Sequence, residues 1–544
     1  MEEEADDCMP RREKQKGMKR AFTDPNALPS MEELGWGKLY RHKGIGLIFY
    51  NSTPSSEALA YVDVSNSSRI NPKEGEMLID RAVAKSAKIL GQKNAGENEI
   101  KGVVRDHLDK VANVLGSRNI SEQAHVMMQV ALPINSVIKI HDETFIASQE
   151  RSTRYVPFNE VHVPEEIGRD PKALAIYTDA MEGLRGCYYV LLTKSISHLV
   201  SSFKRSNNRE PTPDEIKNRI VPSARDNVRG FIPVGAMTLL SLSVNMKAAQ
   251  NITKKLSASP NSIDRDVAHA IMTALAENVP SLSKHLGSDG FDEQAAKHAR
   301  RSERELSNGN IDVRNAVQNA VRILKGSQSE EQMVDSIYGA MPKPMLPEEF
   351  NNDRRWRVLN YIEEATGARE GKWHDLNETH LRSTFLEAEI ECSLGTMRDL
   401  ERHRLSVRNY TIRRSSFVLP DMIMADREMH EIAVRGLVDA NNSAIELEEL
   451  GYDSEAELLT PLACAATLSM GMSLAEALFI IENRSTSEAH PEYKMISHAL
   501  LRSLGEQYPQ ILSKVKKFVG DSGALQELSR TGKEGTEEAN RMLY

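Results

Sequence analysis

The sequence predicts an α+β protein built from two diverged copies of one domain, each a small sheet packed with long helices. Three observations lead there. Short segments bounded by turn residues read as strands, as in "GKLYRHKGIGLIFYN" and "STFLEAEIEC". Long segments carry apolar residues at helical spacing, as in "KALAIYTDAMEGLRGCYYVLLTKSISHLVSSFK". The order strand, helix, polar loop, long helices then occurs twice, with a period of roughly 260 residues.

In chain order, "MEEEADDCMPRREKQKGMKR" is charged and has no apolar core, so residues 1–25 are expected to form a disordered tail. "GKLYRHKGIGLIFYN" and "ALAYVDVSN" follow as strands, and "EGEMLIDRAVAKSAKILGQ" and "IKGVVRDHLDKVANVLGS" as helices. "AHVMMQVALP" reads as extended and "INSVIKIHDE" as helix. The long helical stretch comes next, as one helix or two. A further helix begins at Thr212-Pro213, where a hydroxyl cap precedes proline at the first helical position. "GAMTLLSLSVNMKAAQNITKKLS" continues as helix. A polar run and the prolines of "MPKPMLPEEFNND" mark a junction, which sets an N-terminal domain at 26–325 and a C-terminal domain at 326–544. In the second half "STFLEAEIEC" is a strand. A helix starts near Ser393, with Thr396 and Asp399 spaced like a capping box. "AELLTPLACAATLSMGMSLAEALFIIENR" and "EYKMISHALLRSLGEQYPQILSKVKKFV" read as helices.

A chain of 544 residues has room for several domains with cores of their own. Its 40% hydrophobic and 27% charged residues fit a soluble globular protein. The net charge of -9 disfavours a broad nucleic-acid surface but leaves room for local basic pockets. Cys8, Cys187, Cys392 and Cys464 form no CxxC or spaced pair, so neither a zinc site nor a disulfide frame is expected, and a cytoplasmic location is. There is no apolar run of about 18 residues, hence no expected membrane span. HExxH, GxSxG, P-loop and dinucleotide-type GxGxxG patterns are absent, so no metal site is expected.

The polar stretches are more informative. In "HDETFIASQERSTRYVPF", Glu150, Ser152 and Arg154 stand at alternate positions, and an extended loop turns such residues to one side. A hydroxyl and a guanidinium on one side suit a phosphate, and an acid beside them suits a ribose hydroxyl or a base N–H. A solvated loop with self-paired charges fits the same residues. "SARDNVRGFIP" adds Arg225 and Arg229, which repel unless an anion or acids such as Asp226 neutralise them. In "RDLERHRLSVRNYTIRR", Arg402, His403 and Arg404 follow a helix, where positive charge is also favourable for structural reasons alone. Arg484 closes the apolar helix "FIIENR", and His490 follows it.

At these loops the sequence resembles the flavin-dependent thymidylate synthase family, in its long tandem form with one copy per half. The family carries Arg-His-Arg, a spacer, then Ser-x-Arg-Tyr with an acid two residues before the serine. The first half keeps the later part as Glu150, Ser152, Arg154 and Tyr155 and has "HDET" in place of the earlier part. The second half keeps Arg402, His403 and Arg404 and has Ile412 in place of the serine. Arg229, before Gly-Phe-Ile-Pro, matches a further phosphate-binding arginine. Asn245 matches a flavin-side asparagine, with Lys247 where an arginine is usual. Arg484 matches the arginine that activates the nucleotide, where the first half has Leu256. "NETHLRS" departs from a histidine-bearing family segment at Asn377 and Arg382.

The resemblance implies mostly antiparallel sheets and one composite site per chain. Glu150, Ser152, Arg154 and Arg229 would bind substrate, and Arg402, His403, Arg404 and Asn245 would bind cofactor. Arg484 would be catalytic, stabilising negative charge that develops on the uracil. The implied cofactor is FAD. The implied reaction methylates dUMP to dTMP, with methylenetetrahydrofolate as carbon donor, reduced flavin as hydride donor and NADPH re-reducing the flavin. Neither a nucleic-acid nor a membrane partner is expected, and the tandem chain is expected to form a homodimer. The departures from the motif leave a second reading open: a relative that binds flavin or nucleotide without turnover, in a structural or regulatory role. The composite site requires Ser152 and Arg154 to lie across one pocket from Arg402–Arg404 and Arg484 of the other half.

Overall fold

The computed structural model describes residues 37–50, 120–153, 158, 161–288, 290, 293–294, 311–315, 320–341, 353–371, 376, 380–486 and 489–519. The charged tail, the segments "ALAYVDVSN", "EGEMLIDRAVAKSAKILGQ" and "IKGVVRDHLDKVANVLGS", and Arg154, Tyr155 and Asn377 lie outside the described residues.

The first half contributes strands β1 (Gly37–His42), β2 (Ile45–Tyr50) and β3 (His125–Pro133), helix α1 (Ile134–His141), strand β4 (Ile146–Glu150), helix α2 (Pro171–Asn207), strand β5 (Met237–Asn245) and helices α3 (Met246–Ser257) and α4 (Ser262–Asn278). Its sheet runs β1-β2-β3-β5-β4 with every neighbour antiparallel. The second half contributes β6 (Asp312–Asn315), β7 (Val321–Ile323), β8 (Leu386–Ser393), α5 (Leu394–Leu400), β9 (Val407–Leu419), α6 (Arg427–Glu449), β10 (Cys464–Met472), α7 (Leu474–Arg484) and α8 (Pro491–Gln507). Its sheet runs β6-β9-β10-β8-β7, antiparallel except for the β6–β9 pair. The inner trio has one plan in both halves: β3-β5-β4 and β8-β10-β9. Strands β6 and β7 precede residue 325 yet belong to the second sheet, so the second half begins ahead of the expected division.

The central strands β5 and β10 correct two helix expectations. Along β5, Thr238, Leu240, Leu242 and Val244 are buried while the residues between them are half-buried, a period of two. β10 likewise replaces the start of the long helix expected over "AELLTPLACAATLSMGMSLAEALFIIENR". Each strand runs into a helix with at most one residue between, so strand and helix read as one segment. The strand-to-helix boundary was marked by a cap. Asn245 accepts from the Ala248 N–H at the start of α3, and Ser473 does so from Glu476 at the start of α7. The expected loop at Ile146–Glu150 is β4, hydrogen-bonded along β5.

The expected one-or-two helices after Asp170 form a single helix of 37 residues, α2. Asp170 caps it by accepting from Lys172 and Ala173, with Pro171 at the first position. The helix start expected at Thr212-Pro213 is present, and Thr212 forms a capping box there with Glu215. At α5 the cap is Ser393, whose hydroxyl accepts from the Thr396 N–H, so Thr396 and Asp399 lie inside the helix with their side chains used elsewhere.

The halves join around a local two-fold arrangement. Val234 and Gly235 donate to the carbonyls of Thr460 and Leu458, while Leu462 and Ala463 donate to those of Ile232 and Gly230. Each side thus offers the same surface to the other, as in an isologous dimer. Helix α2 packs along α6, where a Cβ at Gly436 would overlap the Cys187 sulfur, so glycine permits the close approach. One hydrophobic cluster runs through both halves, from Ile134 and Leu184 to Leu394 and Leu462. A buried tie repeats as well. Ser136 of α1 donates to Asp264 of α4 at 2.6 Å, and Thr396 of α5 donates to Glu492 of α8 at 2.6 Å.

Candidate functional site

The polar residues singled out in the sequence converge where β4 of the first half meets the turn between α5 and β9 of the second. Ser393 starts α5, which turns Thr396, Arg398 and Leu400 into the protein. The chain then bends at 401–406, held by the His403 N–H on the Leu400 carbonyl and by the Ser406 hydroxyl on the His403 carbonyl. That bend splays Arg402, His403 and Arg404 in different directions.

Arg402 is exposed and faces carboxylates. Its guanidinium lies 3.4 Å from Asp399 and 3.8 Å from Glu150 of β4. Glu150 is buried and also stands 3.7 Å from the equally buried Arg398. Arg404 crosses to the first half, donating to the Ile146 carbonyl and to the Ser148 hydroxyl. Arg408 donates to the carbonyls of Glu401 and His141. His403 turns inward, with Nε2 2.9 Å from the Tyr493 hydroxyl and Nδ1 3.6 Å from Glu476. Arg484, at the end of α7, donates to His403 Nε2 at 3.5 Å and lies over the Tyr493 ring. Arg229 reaches in from the first half and donates to Asp399 at 2.7 Å and to Thr396 at 3.2 Å.

Burial and charge set the protonation states. Burial would push the Asp399 carboxyl up, but Arg229, Arg402 and Arg398 together outweigh it and hold it well below the usual carboxylate range. Arg229 is buried too, and the carboxylates of Asp399 and Asp226 overcome the burial that would favour its neutral form. His141 falls to about 3, first through burial and then through Arg402, Arg404, Arg398 and Arg408. Burial drives the Glu401 carboxyl far up, with Asp142 adding to the effect. The junction therefore gathers the guanidiniums of Arg229, Arg398, Arg402, Arg404 and Arg408 about Asp399, Glu150 and His141.

Each residue expected at the site can now be placed. Glu150, Arg229, Arg402 and Arg404 belong to one continuous set of contacts between the halves, and Arg484 joins it through His403. Ser152 follows β4 and is exposed, while Arg154 lies outside the described residues. Asn245 uses its amide oxygen to cap α3. Among the residues assigned to the flavin, His403 is buried against Tyr493, Arg404 is bound to β4, and Asn245 is a cap. Arg402 is the one that presents an open side, 38% of its side chain. As arranged in a single chain, this set does not form an open flavin grip. Asp399, Arg398, His141, Ser148 and Tyr493 were missed from sequence. His141 and Ser148 stand in the first quoted loop and Arg398 and Asp399 in the second, but nothing in the pattern ranked them above their neighbours.

A cavity of about 120 Å³ also opens between the halves, beside Arg229, Ser393, Leu419, His490 and Glu492. Asp226, Asp421 and Glu492 outnumber Arg229 there, and each terminal nitrogen of Arg229 already donates one hydrogen bond. An anion is therefore better matched to the Arg402 side of the junction than to this cavity. Among the described residues no group of three or more His, Cys, Asp or Glu could hold a metal ion, and no helix is long and apolar enough to cross a membrane.

The family model for thymidylate synthase complementing protein matches residues 47–281 and 312–510, one segment in each half. The chain belongs to this family. Among curated relatives, the UPF0159 protein Ta1429 of Thermoplasma acidophilum is 22% identical over 445 residues, covering 75% of this chain and 87% of its own. A UPF0159 protein of Chlamydia pneumoniae is 22% identical over 377 residues, covering 65% of this chain and 69% of its own. Among solved structures, a UMP/dUMP methylase, PolB from Streptomyces cacaoi bound with 5-Br UMP, is 16% identical with a TM-score of 0.28. It covers 38% of this chain and 96% of its own. Family membership agrees with the expected fold: mixed helix and sheet, with two sheets in which all but one strand pair is antiparallel.

Proposed function

We propose that this protein is a thymidylate synthase-like enzyme that methylates dUMP to dTMP at the junction of its two halves. Membership of the thymidylate synthase complementing family supports the reaction class. The observation that carries the location is the meeting of Glu150 on β4 with Arg398 and Arg402 from the other half. An exposed guanidinium beside a buried carboxylate offers donors to a phosphate and an acceptor to a sugar hydroxyl or base N–H. In this reading Ser152, Arg154, Arg229 and Arg402 bind and orient the nucleotide. Arg484, fixed by His403 and Tyr493, places positive charge where negative charge develops on the base. Methylenetetrahydrofolate as carbon donor, FAD as hydride carrier and NADPH as its reductant are inferred from the resemblance, and a homodimer is proposed on the same ground. We place the start of the second half ahead of Asp312 and keep the cytoplasm as its location.

The engagement of His403, Arg404 and Asn245 within the chain favours a second reading, a relative that binds nucleotide without turnover. Two measurements separate them. Purified protein is tested for a flavin spectrum before and after FAD reconstitution, and then for tritium release from 5-tritiated dUMP with the full set of substrates. Flavin uptake and tritium release support the enzyme. dUMP binding without either supports the second reading, and absence of dUMP binding sinks both.

A further inference from the structure

The Asp399 carboxylate bridges two arginines that the proposed function assigns to ligands. One oxygen takes a hydrogen bond from Arg229 at 2.7 Å, and the other lies 3.4 Å from Arg402. The arginines approach from opposite halves of the chain, and the carboxylate between them keeps 15% of its side chain exposed. A carboxylate bridging two guanidiniums takes up the positive charge and the forked donors that such a pair offers to phosphate. We infer that Asp399 is an internal competitor for the anionic group of the substrate, standing where that group would bridge Arg229 and Arg402.

Arg229 is tethered at its other terminal nitrogen as well, which donates to Thr396. The Thr396 hydroxyl is itself fixed by donating to Glu492, so Arg229 cannot turn freely to a ligand while Asp399 holds it. A bound anion must therefore displace Asp399 or share the two guanidiniums with it. The His141 imidazole at the same junction is held low first by burial and then by Arg402, Arg404, Arg398 and Arg408, in keeping with the guanidiniums gathered there. Asp399 thus weakens a site that would otherwise hold anions tightly, and acts as a specificity-determining residue: a ligand must bring enough negative charge, correctly forked, to replace a carboxylate.

This inference rests on the nucleotide reading, and the test keeps the two apart. Full-length wild type, Asp399→Asn and Asp399→Ser are titrated with inorganic phosphate and separately with dUMP by calorimetry. Glu363→Gln, which removes a negative charge at an exposed pair with Lys514, controls for net charge. The amide of Asp399→Asn keeps an acceptor for Arg229 while losing the charge. The expected result is binding of both ligands at least about tenfold tighter in Asp399→Asn, with a steeper salt dependence and no change in Glu363→Gln. If wild type binds dUMP and neither Asp399 variant binds it more tightly, the competitor is overturned and the nucleotide reading stands. If phosphate tightens as expected but no protein binds dUMP, the competitor stands and the nucleotide reading falls. If the variants bind more weakly, Asp399 is itself a ligand-holding residue and the inference is wrong.

Discussion

Replacing Arg229 with methionine tests whether the two halves are tied by charge at this junction. The guanidinium and its partner are nearly out of water, with side chains 9% and 15% exposed. Removing one member of a buried ion pair costs about 3–5 kcal/mol, because the other is left as an uncompensated charge. Here Arg402 stays 3.4 Å from the second carboxylate oxygen, so part of the compensation survives and the expected loss is about 2–4 kcal/mol. Thr396 loses a donor but keeps its bond to Glu492, which adds little. Urea unfolding at pH 7 measures the difference. The double variant Arg229→Met with Asp399→Leu should recover more than half of it, since an apolar replacement of a whole buried pair is close to neutral. The pH dependence has a definite sign. Asp399 is held below its unfolded value of about 3.9. Its contribution is therefore complete above that pH and fades as pH falls toward the folded value, so wild type and Arg229→Met should converge below about pH 4. A loss under about 1 kcal/mol at pH 7, or a double variant as unstable as the sum of the singles, would refute the argument.

The other predictions concern neighbouring features. Arg369 and Glu482 form a two-pronged buried pair at 2.9 and 2.7 Å, and the same groups hold the Lys516 carbonyl and the Phe518 N–H. Arg369→Met should cost about 3–5 kcal/mol and speed limited proteolysis around residues 515–519; an unchanged cleavage rate there contradicts the proposed anchor. The His141 imidazole should show no titration by NMR between about pH 5 and 8, because its folded value lies near 3. Its stabilising effect is full above the unfolded value of about 6.5 and is lost as pH falls toward 3, and a resonance titrating near 6.5 would exclude this. Arg404→Met should accelerate hydrogen exchange along Ile146–Glu150 and leave Leu386–Ser393 unchanged. Burial already disfavours the Arg404 charge, with Arg408 and Arg402 adding to it, so a local loss of only about 1–2 kcal/mol is expected. Equal acceleration in both strands argues against a specific tie.

Much of the architecture was legible because local chemistry and global packing agree. The alternation in "AHVMMQVALP" and "STFLEAEIEC" marks β3 and β8, whose alternate side chains are buried, and the Thr212 cap fixes a helix start. β5 and β10 were not legible because each runs into its following helix with at most one residue between, although both alternate in burial. At the junction, sequence drew attention to Glu150 and to Arg402, which lie 3.8 Å apart, and to Arg404, which reaches the same strand at Ile146 and Ser148. It could not find the Arg229–Asp399 contact, whose partners stand 170 residues apart and which depends on how two sheets are set against each other. An arginine read alone looks like an anion site; the same arginine with its partner in view is already satisfied.

Under the proposed function one motif is shared between the halves, and packing at one pair of positions gives a reason for the split. Asn245 caps α3 and Ser473 caps α7, so Leu256 and Arg484 occupy the same position, each eleven residues beyond its cap. Leu256 is fully buried in the first-half core, beside a helix face of Ala248, Ala249 and Ile252 that is buried too. An arginine there would place a charge among apolar side chains with no carboxylate provided for it, a cost of several kcal/mol. Arg484 instead lies over Tyr493 and against His403, where its charge is accommodated. The first half has therefore turned its copy of that position into core, and restoring arginine at Leu256 should destabilise the domain rather than create a second site. Stable folding of Leu256→Arg, measured by urea unfolding, would show that the slot is still open and that the division of labour between the halves is not fixed by packing.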